Sequence, residues 1–471
     1  MAEAFERRVD AKLILSVVAC GLMSFSGVVV ETAMNVTFPS LMSEFGVSTA
    51  LVQWVTTGYL LVLTIIMPLS SLLKRRFRTK TLFVTASCLF FAGTLCCGAA
   101  PAFWMLVLGR VIQGIGTGLA LPLMFNIVVE QTPFNRMGTM MAVATLVTAL
   151  APAVGPSVGG LIVTLWGWRT IFWALLPLLV ISLVAGLYAI RQVSETKSVK
   201  FSPVQFIALA GGFACLVFAA NAASTAGWLS ARVLELLAGA VILLGAFCAV
   251  SKKSQSPLIR IDIFRNHHFT LCLLYAVLLQ AIVLGLGYLL PYYGQIVCGQ
   301  NAFNAGCLLL PGCIVGVILT PMGGRILDIL GARRPLTLGA FFQLAAMVLF
   351  IFLAFGNKPW VFMAVYVLIP ICQGLSASNS MTCGLSYLPG QLKTDGNAAF
   401  TTLQQLGGAL GTAICTSIVN AAQAADTSTA SDLVAGTIAG TEISLYVLLA
   451  FSVIGTLCIL SVFLNKKKAE S

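Results

Sequence analysis

The feature that most constrains this chain is an apolar run of membrane-crossing length that recurs fourteen times. The first run starts at Leu13 and continues almost unbroken for the roughly 20 residues a helix needs to span a bilayer. Others follow down to 443–464, separated by short polar connections. Their apolar residues are continuous rather than alternating, which points to helices and not to barrel strands. A soluble core cannot absorb this pattern: 59% of the 471 residues are hydrophobic and 9% are charged, where soluble chains carry about 25% charged residues. The expected fold is an all-α integral membrane protein with fourteen spans.

The connections set the expected orientation. Of the 27 Lys and Arg residues, 23 fall on one side, among them Arg7, Arg8, Lys12, Lys74 to Lys80 and Lys466 to Lys468. The other side holds Arg169, Arg232 and Lys358, and Arg110 lies within a span. By the positive-inside rule both termini face the cytoplasm, and the chain is a multi-pass protein of the inner (plasma) membrane. The same rule accounts for the net charge of +12 without a nucleic-acid partner. The stretch "SVVACG" (16–21) has a faint lipoprotein cleavage pattern, but the apolar run continues past it as a mature helix.

Several chemistries find no support. The 14 cysteines sit almost entirely in apolar runs and read as small hydrophobes. The two histidines, His267 and His268, are adjacent at a helix entrance, which suits a membrane interface better than a metal. No P-loop pattern occurs, so uphill movement would need an ion gradient or another subunit. Neither a nucleophile–base constellation nor a ligand set is visible, and neither an enzyme, a cofactor nor a metal is expected.

Two charges sit deep inside apolar runs. Glu31, in "SGVVVETAMNVTFP" (26–39), costs roughly 2.5–3.5 kcal/mol on insertion scales, so a function is expected of it. Desolvation penalises the charged form of a carboxyl, which suits Glu31 to gaining and losing a proton. The plainer reading is a hydrogen bond to Asn35, one turn on, that holds helices together. Arg110 is either a fixed counter-ion or a permanent cation that tunes a nearby carboxyl. Gln113, three residues on, shares its helix face.

The chain also carries an internal echo. "GGRILDILGARR" (323–334) and "SSLLKRRFRTK" (70–80) occupy corresponding connections 253 residues apart, with Arg75 where Asp328 stands. Gln113-Gly114 likewise matches Gln373-Gly374. Two six-span halves, 1–200 and 256–471, with an inserted pair at 201–255, account for fourteen spans.

The loop "GGRILDILGARR", with Asp328 and Arg333, resembles the signature of the major facilitator superfamily. "ETAMNVTFPSL" (31–41), "WVTTGYLL" (54–61), "GRVIQGIGTG" (109–118), "GPSVGG" (155–160), "WRTIFWALLP" (168–177) and "DGNAAFTTLQQLGGALGTAI" (395–414) resemble motifs of its fourteen-helix drug/proton antiporters. The resemblance implies two pseudo-symmetric halves and a proton-coupled exporter of amphipathic, cationic or neutral drugs. Its partners would be a small-molecule substrate, protons and the lipid bilayer, and it would act as a monomer. It places the proton-exchange site at Glu31, with Arg110 in a coupling role. Gly155, Pro156, Gly159 and Gly160 fall on the motif associated with antiport, where a hinge is expected.

Asn35, Gln113, Tyr288, Tyr292 and Gln404 are candidate cavity residues. The tyrosines are alternatively part of an interfacial belt. Gln280, Gln343, Asn379 and Gln405 cannot be ranked without knowing their helix faces. Arg75 departs from the family's acidic position. Glu130 or Asp395, the latter a candidate helix cap, is expected to pair with it and keep a cytoplasmic gate of reversed polarity. The runner-up is a dedicated carrier of one metabolite, with Arg110 holding an organic anion.

Overall fold

A computed structural model describes residues 10–133, 137–193, 201–254, 257–353, 358–425 and 430–469. Among them every regular element is helical. The first set comprises α1 (Ala11–Phe45), α2 (Thr49–Val52), α3 (Trp54–Arg76), α4 (Thr79–Gly98), α5 (Phe103–Gln131), α6 (Met137–Trp166) and α7 (Arg169–Ala189). A hairpin follows, α8 (Pro203–Ala226) and α9 (Ala231–Lys253). The last set is α10 (His267–Ile296), α11 (Ala302–Cys307), α12 (Leu310–Leu330), α13 (Arg333–Leu353), α14 (Pro359–Tyr366), α15 (Leu368–Ser386), α16 (Lys393–Ala425) and α17 (Ala430–Ala469). Three pairs, α2/α3, α11/α12 and α14/α15, each form one span, so the described residues hold fourteen helical segments. Twelve are long and apolar enough to cross a membrane. The other two, α6 and α16, are 30 and 33 residues long and pack inside the same bundle.

Helix limits follow local chemistry. Asp10 caps α1 by accepting from Leu13 N at 2.8 Å and pairs with Arg191 at 2.9 Å. Gly46, at φ 63°, ends α1, past the length that a span needs, because Pro39 removes one donor without stopping the helix. The apolar runs over 303–324 and 360–384 are each interrupted, as α11/α12 and α14/α15. Pro311 and Pro370 lack the N–H that would reach back to Cys307 and Tyr366, and the helix restarts just before each proline. At the basic-poor end, Arg169 is not a stray charge: it donates to Glu44 at 2.6 Å and to the Ala100 carbonyl at 2.8 Å.

The core positions the site. In the first set α1 is central, packed on α5, α6 and α7, while α5 also packs on α3 and α4. In the last set α10 is central, against α15, α16 and α17. The sets meet through α1–α10, α3–α16 and α6 with α11 and α12. The α8–α9 hairpin straddles this seam. Asn221 donates to the Ala50 carbonyl at 3.2 Å, Ser417 donates to the Ala220 carbonyl at 2.5 Å, and Trp54 meets Phe218 at 4.8 Å between ring centroids.

Candidate functional site

Among the described residues, only two charged side chains are buried: Glu31, 5% exposed, and Arg110, 0% exposed. They sit on neighbouring helices, α1 and α5, and their charges act on each other. Arg110 is held rigidly. Its Nε donates to the Val55 carbonyl at 2.9 Å and its Nη1 to Gln113 Oε1 at 2.9 Å. The guanidinium carbon lies 4.1 Å above the centroid of the Tyr59 ring. Val55 and Tyr59 are four residues apart on α3, so one helix face supplies both the carbonyl and the ring.

Gln113 is wholly engaged, since its Nε2 donates to Thr94 at 2.8 Å. The structure thus sets Gln113 between α4 and α5, buried, as the anchor of Arg110. Asn35 accepts from Thr56 at 3.2 Å, so its carbonyl is committed to α3 and not to Glu31. Gly287 of α10 lies across from its amide nitrogen.

The segment 155–160 is a close-packed seam. A Cβ on Gly155 would strike Thr32, and one on Gly159 would strike Ala33, the two residues that follow Glu31. A Cβ on Gly160 would strike the Ala302 carbonyl of α11, while Gly306 of α11 packs on the Pro156 carbonyl. Glycine at these positions lets α6 approach both α1 and α11, bringing the two sets together one residue from the carboxylate.

Tyr288 and Tyr292 are buried within the bundle, not arrayed toward lipid. Tyr288 lies 5.6 Å from Phe38 and 5.3 Å from Tyr292, centroid to centroid. Tyr292 joins a polar cluster at the end of the bundle where α1 finishes. Gln423 accepts from Thr49 at 2.9 Å and donates to Tyr292 at 3.2 Å and to Thr437 at 2.8 Å. Gln295 adds a bond to the Val36 carbonyl at 3.1 Å.

The remaining candidates separate. Gln404, Gln405 and Gln280 are half-buried. Asn379 ties α15 to α12 by donating to the Gly323 carbonyl at 3.0 Å, and Gln343 is buried in the last set. His268 stacks on Tyr387, with centroids 4.8 Å apart. Glu130 forms its ion pair with Lys74, the neighbour of Arg75, whose side chain lies outside the described residues. Asp395 pairs with Arg260 at 3.6 Å. It sits within the first turn of α16 and not at its cap, because the 3-10 turn Gly390–Leu392 leads straight into the helix. Asp328 and Arg333 are exposed. Sequence reasoning missed Tyr59, Thr94 and Gln423.

Comparison with known proteins agrees with this architecture. The family model described as Major Facilitator Superfamily matches residues 20–412. The lincomycin resistance protein LmrB of Listeria monocytogenes is 36% identical over 460 residues, covering 96% of this chain and 97% of that protein. A multidrug resistance protein B homolog of Mycobacterium tuberculosis is 27% identical over 416 residues, covering 87% of this chain and 77% of that protein. The solved structure of the xylose transporter XylE from E. coli, at 14% identity, superposes with a TM-score of 0.64 over 95% of this chain and 98% of XylE. With the bundle of fourteen helical segments among the described residues, these matches establish that the chain is a membrane transporter belonging to the major facilitator superfamily.

Proposed function

We propose that this transporter exports amphipathic drugs, cationic or neutral, in exchange for protons. Two halves, 1–200 and 256–471, alternate access to a central cavity, and 201–255 is an inserted hairpin. The protein works as a monomer in the plasma membrane with both termini in the cytoplasm. The observation that carries the reading is the isolation of Glu31 and Arg110 as the only buried charges among the described residues. A buried carboxylate is costly, and proton exchange is a function that needs such a group. Relatives that bear the names of drug and lincomycin resistance support drugs as the cargo.

In this reading Glu31 releases its proton as a drug enters and regains one from the other side. Arg110 stabilises the ionised form. Asn35, Tyr288, Tyr292 and Gln404 border the path, while Gln113 acts through Arg110. The seam at Gly155, Pro156, Gly159 and Gly160 links movement of α11 to the backbone beside Glu31. The pairs Lys74–Glu130 and Arg260–Asp395, with Arg75, Asp328 and Arg333, belong to the cytoplasmic gate.

The test uses everted vesicles with an acid interior, to which lincomycin, a lipophilic cation and an organic anion are added singly. Dissipation of the gradient by several unrelated compounds, lost in Glu31→Gln, is the expected outcome. A response to one organic anion alone would replace this reading with a dedicated metabolite carrier that holds its cargo through Arg110.

A further inference from the structure

Two buried donors at the α1–α3–α5 junction have no acceptor. Arg110 Nη2 meets none, although Nε and Nη1 are engaged. The Tyr59 hydroxyl also meets no partner in hydrogen-bond geometry, although Thr117 is close by. Buried donors are nearly always satisfied, so two orphans in one place need an explanation. Both belong to residues already in contact, since the Tyr59 ring carries the guanidinium. The hydroxyl also points toward α1: a Cβ built on Gly27 would lie 3.0 Å from it. Gly27 and Glu31 are four residues apart, hence on one helix face a single turn from each other.

We propose that Tyr59 is a positioning residue for the proton step: its ring fixes Arg110, and its hydroxyl joins Arg110 Nη2 as the donor pair that receives the Glu31 carboxylate once its proton has left. The proton departs to cavity solvent, and no bond at Tyr59 breaks. This rests on the proposed role of Glu31. Of the hydroxyls that α5 and α3 bring to this part of α1, Thr117 donates to the Gln113 carbonyl at 3.2 Å and Thr56 to Asn35 at 3.2 Å. From α10 comes Tyr288, against Phe38. From α6 come Gly155 and Gly159, which do not titrate. The α7 contact is through Ser182, which donates to the Ala19 carbonyl at 2.7 Å. The α11 segment carries Cys307 and no charged residue.

The test is an infrared pH titration of the purified protein in detergent, following the band of a protonated buried carboxyl. Glu31→Gln assigns the band by removing it. Tyr59→Phe keeps the ring over Arg110 and deletes only the hydroxyl. Its carboxyl should bind protons about tenfold more tightly, moving the midpoint to more alkaline pH, because a donor to the charged form is lost. Tyr59→Leu removes the ring as well and should move it at least as far. An unchanged midpoint in both variants, with the band still absent in Glu31→Gln, would overturn the role of Tyr59 alone. A band that persists in Glu31→Gln would overturn the reading of Glu31 beneath it.

Discussion

Arg110 illustrates how a charge is kept deep in an apolar bundle. Its guanidinium is planar and forked, and it uses that shape: one nitrogen on a carbonyl, one on an amide, one face on a ring. A lysine keeps the charge but cannot make all three contacts. We therefore expect Arg110→Lys to lower drug-driven proton flux in proteoliposomes by about 10–100-fold, the scale of losing one or two charge-assisted bonds; a near-normal flux would show that charge alone suffices. Glu31 and Arg110 were legible in the sequence because a charge interrupting an apolar run stands out. Tyr59 was not, since an aromatic in such a run is ordinary. Its importance comes from where α5 places a guanidinium, which spacing along α3 cannot reveal. Gln113 was legible as sharing a helix face with Arg110, but its bond to Thr94 of α4 joins segments that no spacing along α5 relates.

At the scale of elements, the contacts of α6 make a clear prediction. Gly160 has no room for a side chain against the Ala302 carbonyl, whereas Gly245 of α9 has open space around it. Gly160→Val should abolish transport or lower the melting temperature in detergent by several degrees, while Gly245→Ala should leave both unchanged, apart from a gain of about 0.5–1 kcal/mol in helix propensity. The polar cluster around Gln423 is a second element-level device. Gln423→Leu removes the side-chain link between Thr49 and Thr437. It should shift the population toward opening at that end, seen as a longer spin-label distance between the exposed positions 51 and 433; an unchanged distance distribution would remove the cluster from the gating account. Helix identity was readable from apolar length, but interruptions were read poorly. Pro311 and Pro370 fall inside uninterrupted apolar stretches, and hydropathy does not register a missing N–H.

At the scale of the whole molecule, the fourteen segments and the uneven distribution of basic residues make a topological prediction. In a background lacking reactive cysteines, Leu229→Cys, exposed at the α8–α9 turn, should react with a membrane-impermeant maleimide on intact cells. Phe77→Cys, exposed between α3 and α4, should react only after the membrane is opened. Reversed labelling would invert the assigned orientation. The packing of α1 and α10 as the centres of two sets of helices is compatible with the echo between 70–80 and 323–334. The seating of the α8–α9 hairpin across α3 and α16 was not legible in the sequence, because the contacts of Phe218, Ala220 and Asn221 lie between segments far apart in sequence.

The most direct test of the central claim follows protons released from purified protein in weakly buffered detergent when a binding drug such as lincomycin is added. The account predicts release from the wild type and none from Glu31→Gln, with drug still bound by the variant. Equal proton release from both would contradict it and leave Glu31 a structural residue.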